Sequence, residues 1–184
     1  MRWVLLLLLA GCATPATFDA GPVTIQERLV VDSTGWNRFA EAAPASTEFW
    51  TVEGIALDRL RFFVGIGEGE TLAQALGKRP LPAFRAALSP HEIVELYEAF
   101  TTEDASSFEL ARLSPAPFLG TEGFRFEFDL TRRLDHLSLR GVGYGAVVAG
   151  RLYLVIYSAP KLHYFAKHLP AAEAAVRSAR LKSP

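Results

Sequence analysis

The sequence predicts an α/β protein of the α+β kind, an antiparallel sheet meander with helices packed on it. Three observations carry that expectation. Phe124 to Leu130 (FRFEFDL) alternates strictly, with Phe124, Phe126, Phe128 and Leu130 on one face and Arg125, Glu127 and Asp129 on the other, the period of two that marks a half-buried strand. Two further strand-like runs, HLSLRGVGYGAVV (His136 to Val148) and RLYLVIYSA (Arg151 to Ala159), follow at once with turn residues between them, as in a meander. Segments of helical spacing stand before and after these strands and supply their cover.

Composition bounds the class. The chain has 184 residues, is 50% hydrophobic and 21% charged, and carries a net charge of −1. Such a chain buries enough apolar surface to fold, which excludes disorder, and its neutrality excludes electrostatic binding to nucleic acid. There is no internal repeat, no zinc-type Cys/His spacing and no cofactor motif. A single globular domain over residues 23–184 is the expectation.

At the amino terminus, Met1 to Cys12 reads MRWVLLLLLAGC, one basic residue ahead of an apolar run from Trp3 to Leu9. That run is far shorter than the roughly 20 residues needed to span a bilayer, so it reads as an export signal. Leu9-Ala10-Gly11-Cys12 resembles the lipobox of bacterial lipoproteins. The resemblance implies a signal peptide over residues 1–11 and a diacylglyceryl thioether on Cys12. It also implies acylation of the new amino group. Ala13 stands where inner-membrane lipoproteins often carry Asp, which implies the periplasmic face of the outer membrane. The rival is an ordinary secretory signal cut near Ala10 or Ala13. Cys12 is the only cysteine, and an anchor explains why an exported chain has a thiol with no disulfide partner. The spacer that follows, within residues 12–22, extends at most about 30 Å, so the domain is expected to work close to its membrane.

Along the domain, TIQERLVV (Thr24 to Val31), EFWTVEG (Glu48 to Gly54) and LDRLRFFVGI (Leu57 to Ile66) read as strands. GIGEGE then reads as a loop, because no lysine with a following Ser or Thr completes a P-loop. Arg79 to Pro82 is expected to be extended. Ser89-Pro90-His91-Glu92 is a helix start, a capping-box Ser and Glu three apart with proline at the first helical position. Ile93, Leu96, Tyr97 and Phe100 give that helix an apolar stripe. In the meander, a turn centred near Arg133-Leu134 sets Phe126 and Phe124 across from Gly141 and Gly143, so that large rings cover glycines. A second turn at Ala149-Gly150 returns Leu152, Leu154 and Ile156 to the same apolar face. A last helical segment runs from about Lys161 to Leu181 with Pro170 interrupting it, its apolar contacts drawn from Tyr164, Phe165, Leu169 and Val176.

This ending, LYLVIYSAPKLHYFAKHLPAAEAAVRSARL, resembles the last strand and helix of the PsbP-like superfamily, where a similar Tyr-Ser-Ala-Pro strand end leads into an aromatic-bearing helix. The resemblance covers about a third of the chain. It implies an α/β/α sandwich around an antiparallel sheet and a role as an accessory or interaction protein.

Charge is unevenly spread. Glu92, Glu95, Glu98, Glu103, Asp104 and Glu109 fall between Ser89 and Leu110 with no Lys or Arg, whereas Arg151, Lys161, Lys167, Arg177, Arg180 and Lys182 face only Glu173 after residue 150. Two solvated faces of opposite sign are one reading; a basic end turned toward anionic lipid is the other.

Chemistry-bearing residues are sparse. His91 lies in a first helical turn, and His163 and His168 are five apart, about 140° around a helix, which defeats joint metal ligation. Asp135, His136 and Ser138 invite a hydrolase triad, but neighbours on a strand point to opposite faces and no nucleophile elbow surrounds Ser138. The better candidate is the polar face of the meander, where Arg125, Glu127, Arg140, Tyr144, Tyr153 and Tyr157 share one side. Glu127 is expected across from Arg140, and Arg125 beside Val142. That set is either a salt-bridged sheet face covered by another layer or a cleft whose arginines hold an anion while tyrosines contact a ligand. No activated nucleophile or acid–base pair accompanies it. The expected function is therefore a non-enzymatic, lipid-anchored module that binds an envelope protein partner. A carrier or sensor of a small amphipathic ligand, held between helix and sheet, comes second. A hydrolase comes third.

Overall fold

A computed structural model describes residues 20–39, 47–75 and 80–183. Cys12, the apolar run before it and most of the spacer lie outside the described residues. Among these residues the elements are β1 (Pro22–Ile25), β2 (Leu29–Asp32), β3 (Asn37–Phe39), β4 (Thr47–Thr51) and β5 (Arg59–Ile66), then α1 (Pro90–Thr101). β6 (Ser107–Phe118), β7 (Thr121–Thr131), β8 (Ser138–Val148) and β9 (Arg151–Pro160) follow, and α2 (Tyr164–Ser178) and β10 (Arg180–Leu181) close the chain. Seven strands form one sheet in the order β3-β4-β5-β9-β8-β7-β6, and β1-β2-β10 form a small second one. Every pairing is antiparallel.

The large sheet has a core on each face. Trp50, Leu60, Phe62, Val142, Val155 and Tyr157 meet Phe165, Ala172 and Val176 of α2 on one side, with Ile25, Leu29 and Val31 of the small sheet joining them. On the other, Phe63, Phe124, Phe126, Phe128, Leu154 and Ile156 meet Ile93, Leu96 and Tyr97 of α1. The chain is a sandwich of α2 and the small sheet, the seven-stranded sheet, and α1.

Several expectations hold. The capping box is formed: Ser89 Oγ accepts from the Glu92 amide, and the Glu92 carboxylate accepts from the Ser89 amide at 2.8 Å. Ala149 and Gly150 both take positive φ, 49° and 73°, the two-residue hairpin that matches strand twist. The phenylalanines do cover glycines, since a Cβ on Gly143 would lie 2.2 Å from the Phe126 ring.

Others are corrected. TIQERLVV is not one strand but the hairpin of β1 and β2, reversed at Gln26 and Glu27 with φ of 47° and 57°. The β7–β8 register differs by two residues from the expected one, pairing Phe124 with Gly145, Phe126 with Gly143 and Phe128 with Gly141. A shift of two preserves the faces. Its cause is the turn, where Asp135 accepts from Arg132 Nε, Arg132 Nη2 and the Leu137 amide, moving the reversal past Leu134. The expected facings of Glu127 with Arg140 and Arg125 with Val142 change accordingly: Glu127 pairs with Val142 and Arg125 with Tyr144. Asp135 and His136 belong to this turn and not to a strand.

Pro170 does not interrupt the last helix, which runs unbroken from Tyr164 to Ser178. The amide lost at Pro170 would have served Ala166, and both residues are exposed, so water satisfies the carbonyl. Beyond the helix, Arg180 and Leu181 add a strand to β2 instead of extending α2.

β6 has no counterpart among the expected elements. A register shift between Leu110 and Arg112 breaks its alternation, and Pro115 and Pro117 lie inside it. Both are tolerated because β6 is an edge strand, where a proline on the open side costs no ladder bond.

Candidate functional site

The polar residues of the meander come together beneath α2, but as a sealed network. Glu127 is the hub: it accepts from Arg125 Nη1 at 2.5 Å along its own strand and from Arg140 Nη2 at 2.8 Å across a diagonal. The two guanidinium groups hold its carboxyl below the ordinary range. Arg125 Nε donates to the Tyr144 hydroxyl at 2.9 Å, and that hydroxyl donates to Glu173 of α2 at 3.3 Å. The Arg140 guanidinium lies 5.6 Å from the Phe165 ring centroid.

Tyr153 and Tyr157 do not join this network. Both are buried in the core below α2. The Tyr157 hydroxyl donates to the Tyr164 carbonyl at 3.0 Å, and its ring stacks on Phe165 with centroids 5.6 Å apart. Burial raises its pKa. Four of the six named residues thus form one rim, and the other two are core. A depression of about 260 Å³ lies beside Tyr144 and Glu173, next to the β6–β7 turn.

The histidines find partners elsewhere or none. His91 is exposed with Glu95 at 3.4 Å, and His168 is buried with Nε2 3.1 Å from Glu53. His136 is exposed in a positive-φ turn position. Its neighbour Asp135 is taken by Arg132, and no hydrogen bond among the described residues joins His136 to Ser138. No group of three or more metal-ligating side chains occurs among the described residues. The bases after residue 150 are mostly partnered across the fold: Lys161 with Asp129, Lys167 with Glu53, Arg177 with Glu173 and Lys182 with Glu27. Arg151 donates to the Gly65 carbonyl.

The concave surface lies on the opposite face. A groove of about 1210 Å³ runs between the amino-terminal end of α1 and the β6–β7 hairpin. Leu88 and Ile93 form its helix side, and Leu113, Pro115, Phe124 and Val147 its sheet side. The geometry has a simple origin. α1 lies along the strands, its first turn at the β6–β7 turn end and its last turn at the opposite end. A helix of 12 residues is about 18 Å long, whereas the 11 residues of β7 extend about 36 Å. α1 packs on Phe108 of β6 through Tyr97 but leaves the turn end of the β6–β7 hairpin uncovered. Sequence reasoning missed this groove because it missed β6.

No family model matches the chain, and no curated protein matches it in sequence. Solved structures do resemble it in shape. The cyanobacterial PsbP protein CyanoP of Synechocystis aligns over 94% of this chain and 99% of its own at a TM-score of 0.59 and 10% identity. The Ran-binding protein Mog1p of Saccharomyces cerevisiae aligns over 90% and 96%, at 0.51 and 10%. LpqN of Mycobacterium tuberculosis, described as involved in cell envelope biogenesis, aligns over 90% and 87%, at 0.46 and 9%. The order of strands and helices derived above, matched over nearly the whole of CyanoP, gives this chain the PsbP-like fold.

Proposed function

We propose that this chain is a non-enzymatic binding module, held at the periplasmic face of the bacterial outer membrane through a lipid on Cys12, that takes an apolar segment of an envelope protein into the groove between α1 and β6–β7. The observation that carries the reading is the groove itself, an open concave surface whose walls are Leu88, Ile93, Leu113, Pro115 and Phe124. An open concavity with apolar walls and polar residues such as Ser89, Thr121 and Glu122 at its rim has the form of a binding site. Its form suits a helix or extended segment laid into it. The anchor rests on the Leu-Ala-Gly-Cys motif, and among the described residues no helix is long and apolar enough to cross a membrane. The accessory role follows the PsbP-like resemblance.

A photo-reactive residue placed at half-buried Leu113 in whole cells should crosslink to one reproducible envelope protein, and a Leu113→Asp change should abolish its recovery. Crosslinks no different from those of a probe at exposed Lys167 on α2 would refute the groove. Retention of a Cys12→Ser variant in the membrane as before would refute the anchor.

The size of the groove also favours a second reading, a small amphipathic ligand whose chain lies where the protein segment would. Native mass spectrometry of gently extracted protein distinguishes the two. A co-purifying mass lost in Leu113→Asp supports the ligand, and its absence supports the protein partner.

A further inference from the structure

One end of the large sheet gathers features that the groove does not use. The β4–β5 loop, the α1–β6 loop, the β7–β8 turn and the β9–α2 loop all lie at that end, because Arg59 pairs with Ser158, Thr131 with Ser138 and Ser107 with Thr131. The exposed large hydrophobic residues among those described are Ile55, Leu134 and Leu162, with relative exposures of 45%, 89% and 100%. Each sits on one of these loops. Large apolar side chains at loop tips gain nothing from water, and three on one end form a discontinuous apolar surface.

The same end holds a cavity of about 290 Å³ between the carboxyl-terminal end of α1 and the sheet. Arg59 and Arg61, two apart on β5, point to this face with Phe63. Neither has a carboxylate within ion-pair distance among the described residues. Arg59 donates through Nη2 to the Ile55 carbonyl, while its Nε is buried without a partner. The Arg61 side chain makes no hydrogen bond among the described residues, and its guanidinium lies 4.9 Å from the Phe100 ring centroid. Burial pushes Arg61 down to about 10, and the charge of Arg59 adds to the effect. It remains a cation at neutral pH. Tyr97, whose hydroxyl is likewise without a hydrogen bond, lines the cavity with them.

Three carboxylates also border the cavity. Asp58 is taken by the Thr51 hydroxyl and the Val52 and Glu53 amides, and Asp104 by the Ser106 amide. Glu103 also lines the wall. Two half-buried guanidinium groups, neither ion-paired to a carboxylate among the described residues, keep donors free, and their planar forks fit an oxyanion bidentately.

We infer that this end docks on a membrane, with Ile55, Leu134 and Leu162 entering the lipid interface and the Arg59–Arg61 cavity receiving the phosphate of an anionic phospholipid. Two independent observations converge here: apolar tips that need a nonaqueous neighbour, and cations that need an anion. An organic phosphate set in an apolar surface satisfies both. The cations are those of β5, not the basic carboxyl-terminal segment, whose charges are mostly paired. The inference stands apart from the groove and from the acyl anchor.

The test uses the full chain carrying Cys12→Ser, so that no acyl group contributes, and measures binding to phosphatidylcholine vesicles with and without phosphatidylglycerol. Binding should require phosphatidylglycerol. Arg61→Gln should weaken it by roughly fivefold or more, the effect of one cation at a lipid surface, and a Leu134→Ser/Leu162→Ser pair should weaken it similarly. Arg177→Gln, on exposed α2, should leave it unchanged. The leucine pair is fully outside the core, so its folding is assured even if Arg61→Gln perturbs the cavity. Equal binding to both vesicle types, or equal loss in Arg177→Gln, overturns the inference. A rise in Tm with inorganic phosphate that depends on Arg61, without vesicle binding, also overturns it by assigning the cavity to a soluble phosphate.

Discussion

The two faces of the seven-stranded sheet are built from the same alternating strands yet end in opposite states. On the α2 face, a 15-residue helix and the small three-stranded sheet together cover the strands. The polar rim of Arg125, Glu127, Arg140 and Tyr144 is closed by its own ion pairs and by Glu173. On the α1 face, one 12-residue helix covers the middle only. It leaves an apolar groove at its amino-terminal end and two unpaired arginines at its carboxyl-terminal end. The difference teaches that charge on a strand does not locate a site; incomplete cover does. The residues with the most conspicuous chemistry in the sequence satisfy one another, and the unsatisfied ones sit where a layer runs short.

That contrast can be tested at its strongest point by filling the backbone space under a phenylalanine on the α1 face. Gly143→Ala places a methyl group 2.2 Å from the Phe126 ring, and the ring is fully buried with neighbours on both sides. Overpacking of this kind should cost about 1–3 kcal/mol in denaturant-induced unfolding, read as a lower midpoint with an unchanged slope. A neutral result would mean that this core is looser than its geometry implies and that the groove is an extension of a soft layer.

On the α2 face, Glu127→Gln leaves two half-buried guanidinium groups without their shared anion and should cost about 1–3 kcal/mol. The pH dependence carries a sign. The folded carboxyl is held below the ordinary value of 4.5, so its stabilisation is fully present above that value and is lost as pH falls through the lowered folded value. Stability of the wild type should therefore fall away on acidification more steeply than that of Glu127→Gln. Matching profiles would show that the rim is solvated and not sealed.

The smallest effect concerns where α1 begins. Ser89→Ala removes the cap that fixes the helix start beside the groove and should cost about 1 kcal/mol, seen as a modest loss of Tm. A larger loss would show that the groove wall depends on the cap as well as on the apolar stripe of Ile93, Leu96 and Tyr97.

Much of the architecture was legible because it is local. FRFEFDL declares its buried face by period alone, and the Ser89–Glu92 box and the Ala149-Gly150 turn are set by groups a few residues apart. The glycines of β8 signalled that rings would cover them, and parity protected the assignment of faces even where the register was off by two. What was not legible depends on distant partners. β6 joins an edge that only a completed sheet can offer, which is why its prolines concealed it. Pro170 reads as a break until α2 is seen to turn that position to water.

The sequence by itself determined the alternation of the strands, the start of α1, the side on which each meander residue lies and the composition that makes a neutral, foldable chain. Tertiary structure alone decided which face was closed. Arg59 and Arg61 alternate with Leu60 and Phe62 as a solvent-facing set would, and only the last turn of α1, ending beside them, leaves them half-buried with no carboxylate in ion-pair reach among the described residues. Burial is a property of what packs above a residue, and the length of a helix relative to the strands it lies along is not written at any one position.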